Sequence, residues 1–71
     1  MKLAEAVKQL RAAKVYLIDI LSSHIRIRMR KTNRHVMDIN IIGGEVPDST
    51  IQYLLAEAEL LNETKPDEDV V

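Results

Sequence analysis

Arg26, Arg28, Arg30, Lys31 and Arg34 all fall within residues 24–35, a stretch that holds no acid. Arg26, Arg28 and Arg30 alternate with Ile25, Ile27 and Met29. On a strand, that alternation projects three guanidinium groups from one face at intervals of about 6.6 Å. Planar guanidinium forks hold phosphate oxygens bidentately, so the chemistry on offer is capture of a phosphate-bearing anion. On a helix, Arg26, Arg30 and Arg34 line up at i, i+4 with Lys31 beside them, so the basic patch survives either secondary structure. The competing reading is a solvated face, or one neutralised by Glu57, Glu59 and Glu63 of the same or another copy.

Other chemistry is poorly supplied. His24 and His35 fall near opposite ends of the segment, and no His/Cys spacing of zinc type exists, so no metal site is expected. Ser22, Ser23, Ser49 and Thr50 lack an elbow motif or a histidine and acid at a recognisable spacing. Gly43-Gly44 fits neither glycine-rich phosphate-loop pattern and reads as backbone freedom at a turn. Glu57 and Glu59 point to different helix faces. No catalytic residue and no cofactor is therefore assigned, and the chain reads as a non-enzyme.

The elements that position the arginines follow from periodicity. Leu3, Ala6, Leu10, Ala13, Leu17 and Ile20 keep a 3-4 spacing that predicts a helix over about 2–22, with Ser22-Ser23 as its stop. From His24 the period becomes 2, which predicts a β-hairpin over about 24–42. Folding it about Asn33, a residue that tolerates left-handed backbone, puts Met29 opposite Met37, Ile27 opposite Ile39, Ile25 opposite Ile41 and Arg28 opposite Asp38. Gly43-Gly44 and Pro47 force a turn. A second helix follows over about 49–64, with Ser49 and Gln52 as a capping box and Ile51, Leu54, Leu55, Ala58 and Leu61 as its stripe. Residues 66–71 read as an acidic disordered tail after a single domain of 1–65. The expected class is α+β, arranged helix, β-hairpin, helix; the alternative is an all-α antiparallel helical hairpin in which the first helix continues to about Arg34.

The chain has 71 residues, no cysteine and a net charge of −1. A domain this short buries only about 60% of the surface its unfolded chain exposes, and small domains without disulfide or metal commonly recruit a second copy. Leu21, Tyr53 and Leu60 lie off the main stripes, and with Leu17 at the wider, C-terminal end of the first stripe they are the candidate surfaces of a homo-oligomer. The near-neutral total hides a dipole: residues 45–71 hold eight acids against Lys65 alone. No apolar run approaches the roughly 20 residues of a membrane span, the opening residues do not read as a secretory leader, and the lack of cysteine accords with a reducing cytosol, so a cytoplasmic protein without membrane partners is expected.

The segments Met1-Lys-Leu-Ala-Glu-Ala6, Gly44-Glu-Val-Pro-Asp48 and Leu54-Leu-Ala-Glu-Ala-Glu-Leu-Leu61 resemble the N-terminal half of small helical proteins of the septicolysin-like family. The resemblance implies two helices packed antiparallel, with His24 to Ile41 as additional material. It carries over no activity and no site residues.

These readings combine into a non-enzymatic, homo-oligomeric binding protein. Its Arg-rich hairpin would sequester a phosphate-bearing ligand such as a nucleotide, and its size matches small phage-encoded sequestering proteins. The alternative is a protein-interaction or inhibitor module that uses apolar helix faces and an acidic helix or tail, or that meets an acidic protein surface through the arginines. Nucleic-acid binding ranks third, because the basic segment has no interleaved aromatic residues to stack on bases.

Overall fold

The amphipathic stripe that begins at Leu3 ends as a helix at Ala12, and the reason is the backbone of Lys14, whose φ of 62° lies in the left-handed region. The N–H groups of Ala13 and Lys14 close the last turn on the carbonyls of Gln9 and Arg11. Helix α1 (Leu3–Ala12) is thus half the length expected for it, and the helix predicted over about 2–22 is corrected. Residues 16–20 are strand β1 (Tyr16–Ile20). The β-branched and aromatic run Val15-Tyr16-Leu17-Ile18 suits a pleated, half-buried surface, and strand pairing wins over the 3-4 spacing that Leu17 and Ile20 continue.

Strands β2 (His24–Met29) and β3 (His35–Asn40) form the expected hairpin, and β1 adds to its free side to make one antiparallel sheet in the order β1-β2-β3. With two helices and three strands the class is α+β. The two-stranded element is corrected to a three-stranded sheet, and the β2–β3 ladder overturns the all-α alternative.

The register is corrected as well. Ile25 faces Ile39, Ile27 faces Met37, Arg26 faces Asp38 and Arg28 faces His35. Asn33 does take positive φ (61°), but it does so near the end of the connection, just before Arg34, and the connection is closed by Met29 N–H on the Arg34 carbonyl (2.7 Å) and Asn33 N–H on the Met29 carbonyl (2.8 Å). A turn centred on Asn33 would have placed the left-handed residue at its apex. A register shift between Ile27 and Arg28 leaves Val36 as a bulge, so Val36 and the adjacent Met37 both pack against the core.

Gly43 and Gly44, both at positive φ, form the tight turn that pairs Ile42 with Glu45. Helix α2 (Asp48–Val70) starts with the Pro47 carbonyl accepting the Ile51 N–H, so Ser49 sits inside the first turn instead of capping it. The computed structural model describes residues 1–61 in full, and beyond Leu61 only the helical course of α2. The expected helix end near 64 and the acidic tail over 66–71 lie outside the fully described residues.

One apolar cluster joins the helices to one face of the sheet. Ala6, Val7 and Leu10 of α1 and Ile51, Leu54 and Ala58 of α2 pack with Tyr16, Ile18, Ile25, Ile27 and Ile39. The Tyr16 hydroxyl donates to the Leu54 carbonyl (2.8 Å) inside this cluster, so β1 is tied to α2 by a buried hydrogen bond. Among the described residues, the opposite face of the sheet carries no helix and presents Leu17, Asp19, Arg26, Arg28, His35 and Asp38. No helix among the described residues is long and apolar enough to cross a membrane.

Candidate functional site

The alternation of β2 does place Arg26 and Arg28 on one open face, but two flanking acids divide them. Asp19 and Asp38 sit on either side of Arg26 across the ladder. Arg26 Nε lies 3.7 Å from Asp38, and Arg28 Nη2 lies 2.8 Å from Asp19. Arg28 Nη1 also donates to the Asn33 side-chain oxygen (2.6 Å), while its Nε is buried without a hydrogen-bond partner among the described residues. Arg28 is therefore held rigidly by the fold, whereas Lys31 and Arg34 are exposed on the β2–β3 connection. The expected five-residue clamp does not converge on one point.

A different set does. Lys14, Arg28, Arg30 and Arg11 surround a cleft of about 350 Å³ that runs along the outer edge of β1, with Asp19 as the one acid among its described lining residues. Tyr16, Leu17 and Ile18 of β1 also line it. Each cation arrives for a local reason. Arg11 occupies the last turn of α1 and donates to the Ile18 carbonyl (3.5 Å) on the strand edge. Lys14 is turned there by its left-handed backbone. Arg30 is delivered by the N–H of its own backbone, which bonds the Val15 carbonyl (2.9 Å) and extends the β1–β2 ladder past Met29.

Sequence reasoning found Arg28 and Arg30 and missed Arg11 and Lys14, which fall off the apolar stripe of the helix expected over about 2–22. The signal that would have recovered them is the β-forming run from Val15, which demands a break before it.

Apart from the cleft, a second hollow of about 570 Å³ lies between α1 and the end of β1. It is lined by Leu3, Ala4, Val7, Lys8, Ile20 and the same Arg11, so the two hollows adjoin through that side chain. The histidines stand at opposite ends of β2 and β3: His24 Nδ1 contacts the Ser23 hydroxyl (3.1 Å) and His35 Nε2 contacts Asp38 (3.1 Å). The His35 hydrogen bond is the main reason that the Asp38 carboxyl is held below its ordinary range. Burial pushes the Tyr16 phenol up, with the nearby Glu57 adding to the shift. No group of His, Cys, Asp and Glu among the described residues could hold a metal ion.

Of the residues expected at a subunit interface, Leu17 lines the cleft and Leu21 follows the end of β1. Tyr53 and Leu60 stand 57% and 58% exposed on α2, seven residues apart. No family model, curated protein or solved structure matches the chain, so its likeness to septicolysin-like proteins rests on the quoted segments alone.

Proposed function

We propose that this protein is a non-enzymatic, homo-oligomeric binding protein that captures a compact phosphate-bearing ligand in the cleft beside β1. The observation that carries this reading is the meeting of Arg11, Lys14, Arg28 and Arg30, from two separate stretches of chain, around one cleft with a single acid among its described lining residues. Such a lining has a formal excess of three positive charges, and its volume lies at the small end of ligand pockets, suited to a phosphate chain. Arg30 and Lys14 supply exposed, adjustable donors, while Arg28 supplies a fixed field. Among the described residues, the lining is made of cations, Asp19 and apolar side chains, a set suited to hold an anion. Exposed Tyr53, Leu60 and Leu61 on α2 are the surface assigned to self-association.

Titration calorimetry with tripolyphosphate tests the assignment. Micromolar-range binding that weakens at least tenfold in Lys14→Ser/Arg30→Ser, with the circular dichroism spectrum retained, is expected, because a charge-assisted hydrogen bond is worth about 1.5–3 kcal/mol. Equal affinity in the double variant refutes the site.

A further inference from the structure

The cleft borders the edge of β1 that no strand among the described residues pairs, exposed at Ile20 and covered by Arg11 at the Ile18 carbonyl. In the β1–β2 ladder, hydrogen bonds join Leu21 to His24 and Arg30 to Val15, both of which lie on the register that pairs Tyr16 with Met29 and Ile18 with Ile27. Antiparallel pairs alternate between bonded and non-bonded, so the odd-numbered β1 residues bond β2 while Tyr16, Ile18 and Ile20 turn their N–H and C=O groups outward. Arg11 confirms the direction, because its guanidinium reaches the outward Ile18 carbonyl.

The other edge of the sheet is guarded differently. Strand β3 carries the Val36 bulge and the polar, hydrogen-bonded pair His35–Asp38, two devices that discourage a further strand. Strand β1 has no bulge in its ladder. Its end residue Ile20 is 51% exposed beside the apolar hollow of Leu3, Ala4 and Val7.

We infer that the natural occupant of this edge is an extended anionic peptide that adds to β1 as a fourth strand. This inference rests on reading the cleft as an anion site and names the carrier of the anion. A strand laid against β1 finds backbone partners at Tyr16 and Ile20 and at the N–H of Ile18, whose carbonyl already accepts from Arg11. Its side chains alternate between the open face, where Arg28, Arg30 and Lys14 await acidic or phosphorylated residues, and the hollow at Ile20 and Val7, which takes an apolar one.

Charge selects this occupant. A second copy of β1 would bring the same four cations against this edge, whereas an anionic peptide neutralises them. A nucleotide finds phosphate donors there but no ring to stack its base, since Tyr16, the aromatic residue of the cleft, is 5% exposed and spends its hydroxyl on Leu54.

The test uses the full chain and three short capped probes: alternating valine and glutamate, alternating valine and phosphoserine, and the glutamate peptide with alternate backbone amides N-methylated. Fluorescence anisotropy reports affinity, and amide hydrogen exchange reports the strand edge. Expected are binding of an anionic probe, at least tenfold loss on N-methylation, and at least tenfold slower exchange at the Ile18 amide in the complex. Equal binding of the N-methylated probe, or unchanged exchange at Ile18, overturns strand addition. Protection of Ile18 that grows with protein concentration in the absence of peptide assigns the edge to a second copy and also overturns it. Tripolyphosphate binding with no peptide-induced protection sinks this inference while the phosphate reading stands. Protection by the glutamate probe, with neither tripolyphosphate nor the phosphoserine probe binding, upholds strand addition and removes the phosphate reading.

Discussion

Replacing Lys14 by glycine should make the protein more stable and a poorer anion binder at the same time. Lys14 holds φ 62° at the end of α1, a conformation that costs an L-residue roughly 1–2 kcal/mol and glycine almost nothing. Glycine gives back part of that gain because its unfolded chain is freer, by about 0.5–1 kcal/mol. The net stabilisation is therefore about 0–1.5 kcal/mol, centred on about 0.75 kcal/mol. In a chain of 71 residues, 1 kcal/mol moves the melting temperature by roughly 4–8 °C, so at that central value Lys14→Gly should melt about 3–6 °C higher by differential scanning calorimetry. Lys14 is exposed, which limits what its side chain contributes to packing. The same substitution removes one of four cations from the cleft, and tripolyphosphate affinity should fall several-fold in calorimetric titration. A lower melting temperature would refute the strain argument. A higher melting temperature with undiminished affinity would uphold the strain argument and remove Lys14 from the site.

Four further substitutions probe the remaining links. Tyr16→Phe deletes the buried hydrogen bond from β1 to α2 and should cost about 1 kcal/mol in urea unfolding; a loss under about 0.3 kcal/mol would show that this tie contributes little. Ile27→Ala in the central strand, where the side chain is fully buried, should cost about 2–5 kcal/mol, and a midpoint shift within error would place Ile27 outside the core. Asp19→Asn removes the acid that lines the cleft and should tighten tripolyphosphate binding roughly threefold, the effect of one unit charge at about 6 Å in a water-like medium; weaker binding would mean that Asp19 positions Arg28 more than it opposes the ligand. Asp38 titrates below its ordinary 3.8 in the folded protein, so its contribution is fully present above about pH 3.8 and disappears as pH falls through the lower folded value. Asp38→Asn should accordingly flatten the stability profile below pH 4, and a profile of unchanged slope there would contradict the His35–Asp38 coupling.

Legibility along the chain tracked how local each signal was. The strict alternation from Ile25 to Met29 and from Met37 to Ile41 specified two strands, since a period of 2 has one structural solution. The Gly43-Gly44 turn and the left-handed Asn33 were equally readable, because few residue types tolerate positive φ. The end of α1 was not, as the residue that takes positive φ there is a lysine, and nothing in its type announces that conformation. The register escaped for a related reason: both the expected and the observed pairing keep the same side chains on the core face, so polarity alone cannot separate registers two residues apart.

By itself, then, the sequence favoured an α+β class over an all-α hairpin and specified the alternation of the central segment and a concentration of positive charge, all properties of neighbours in the chain. Tertiary structure decided that β1 exists, that Asp19 and Asp38 pair with Arg28 and Arg26, and that Arg11 and Lys14 meet Arg28 and Arg30 beside the outer edge of β1. Those outcomes depend on pairing between distant segments, where burying Tyr16 and Ile18 against both helices outweighs the local preference of residues 13–20 to continue a helix.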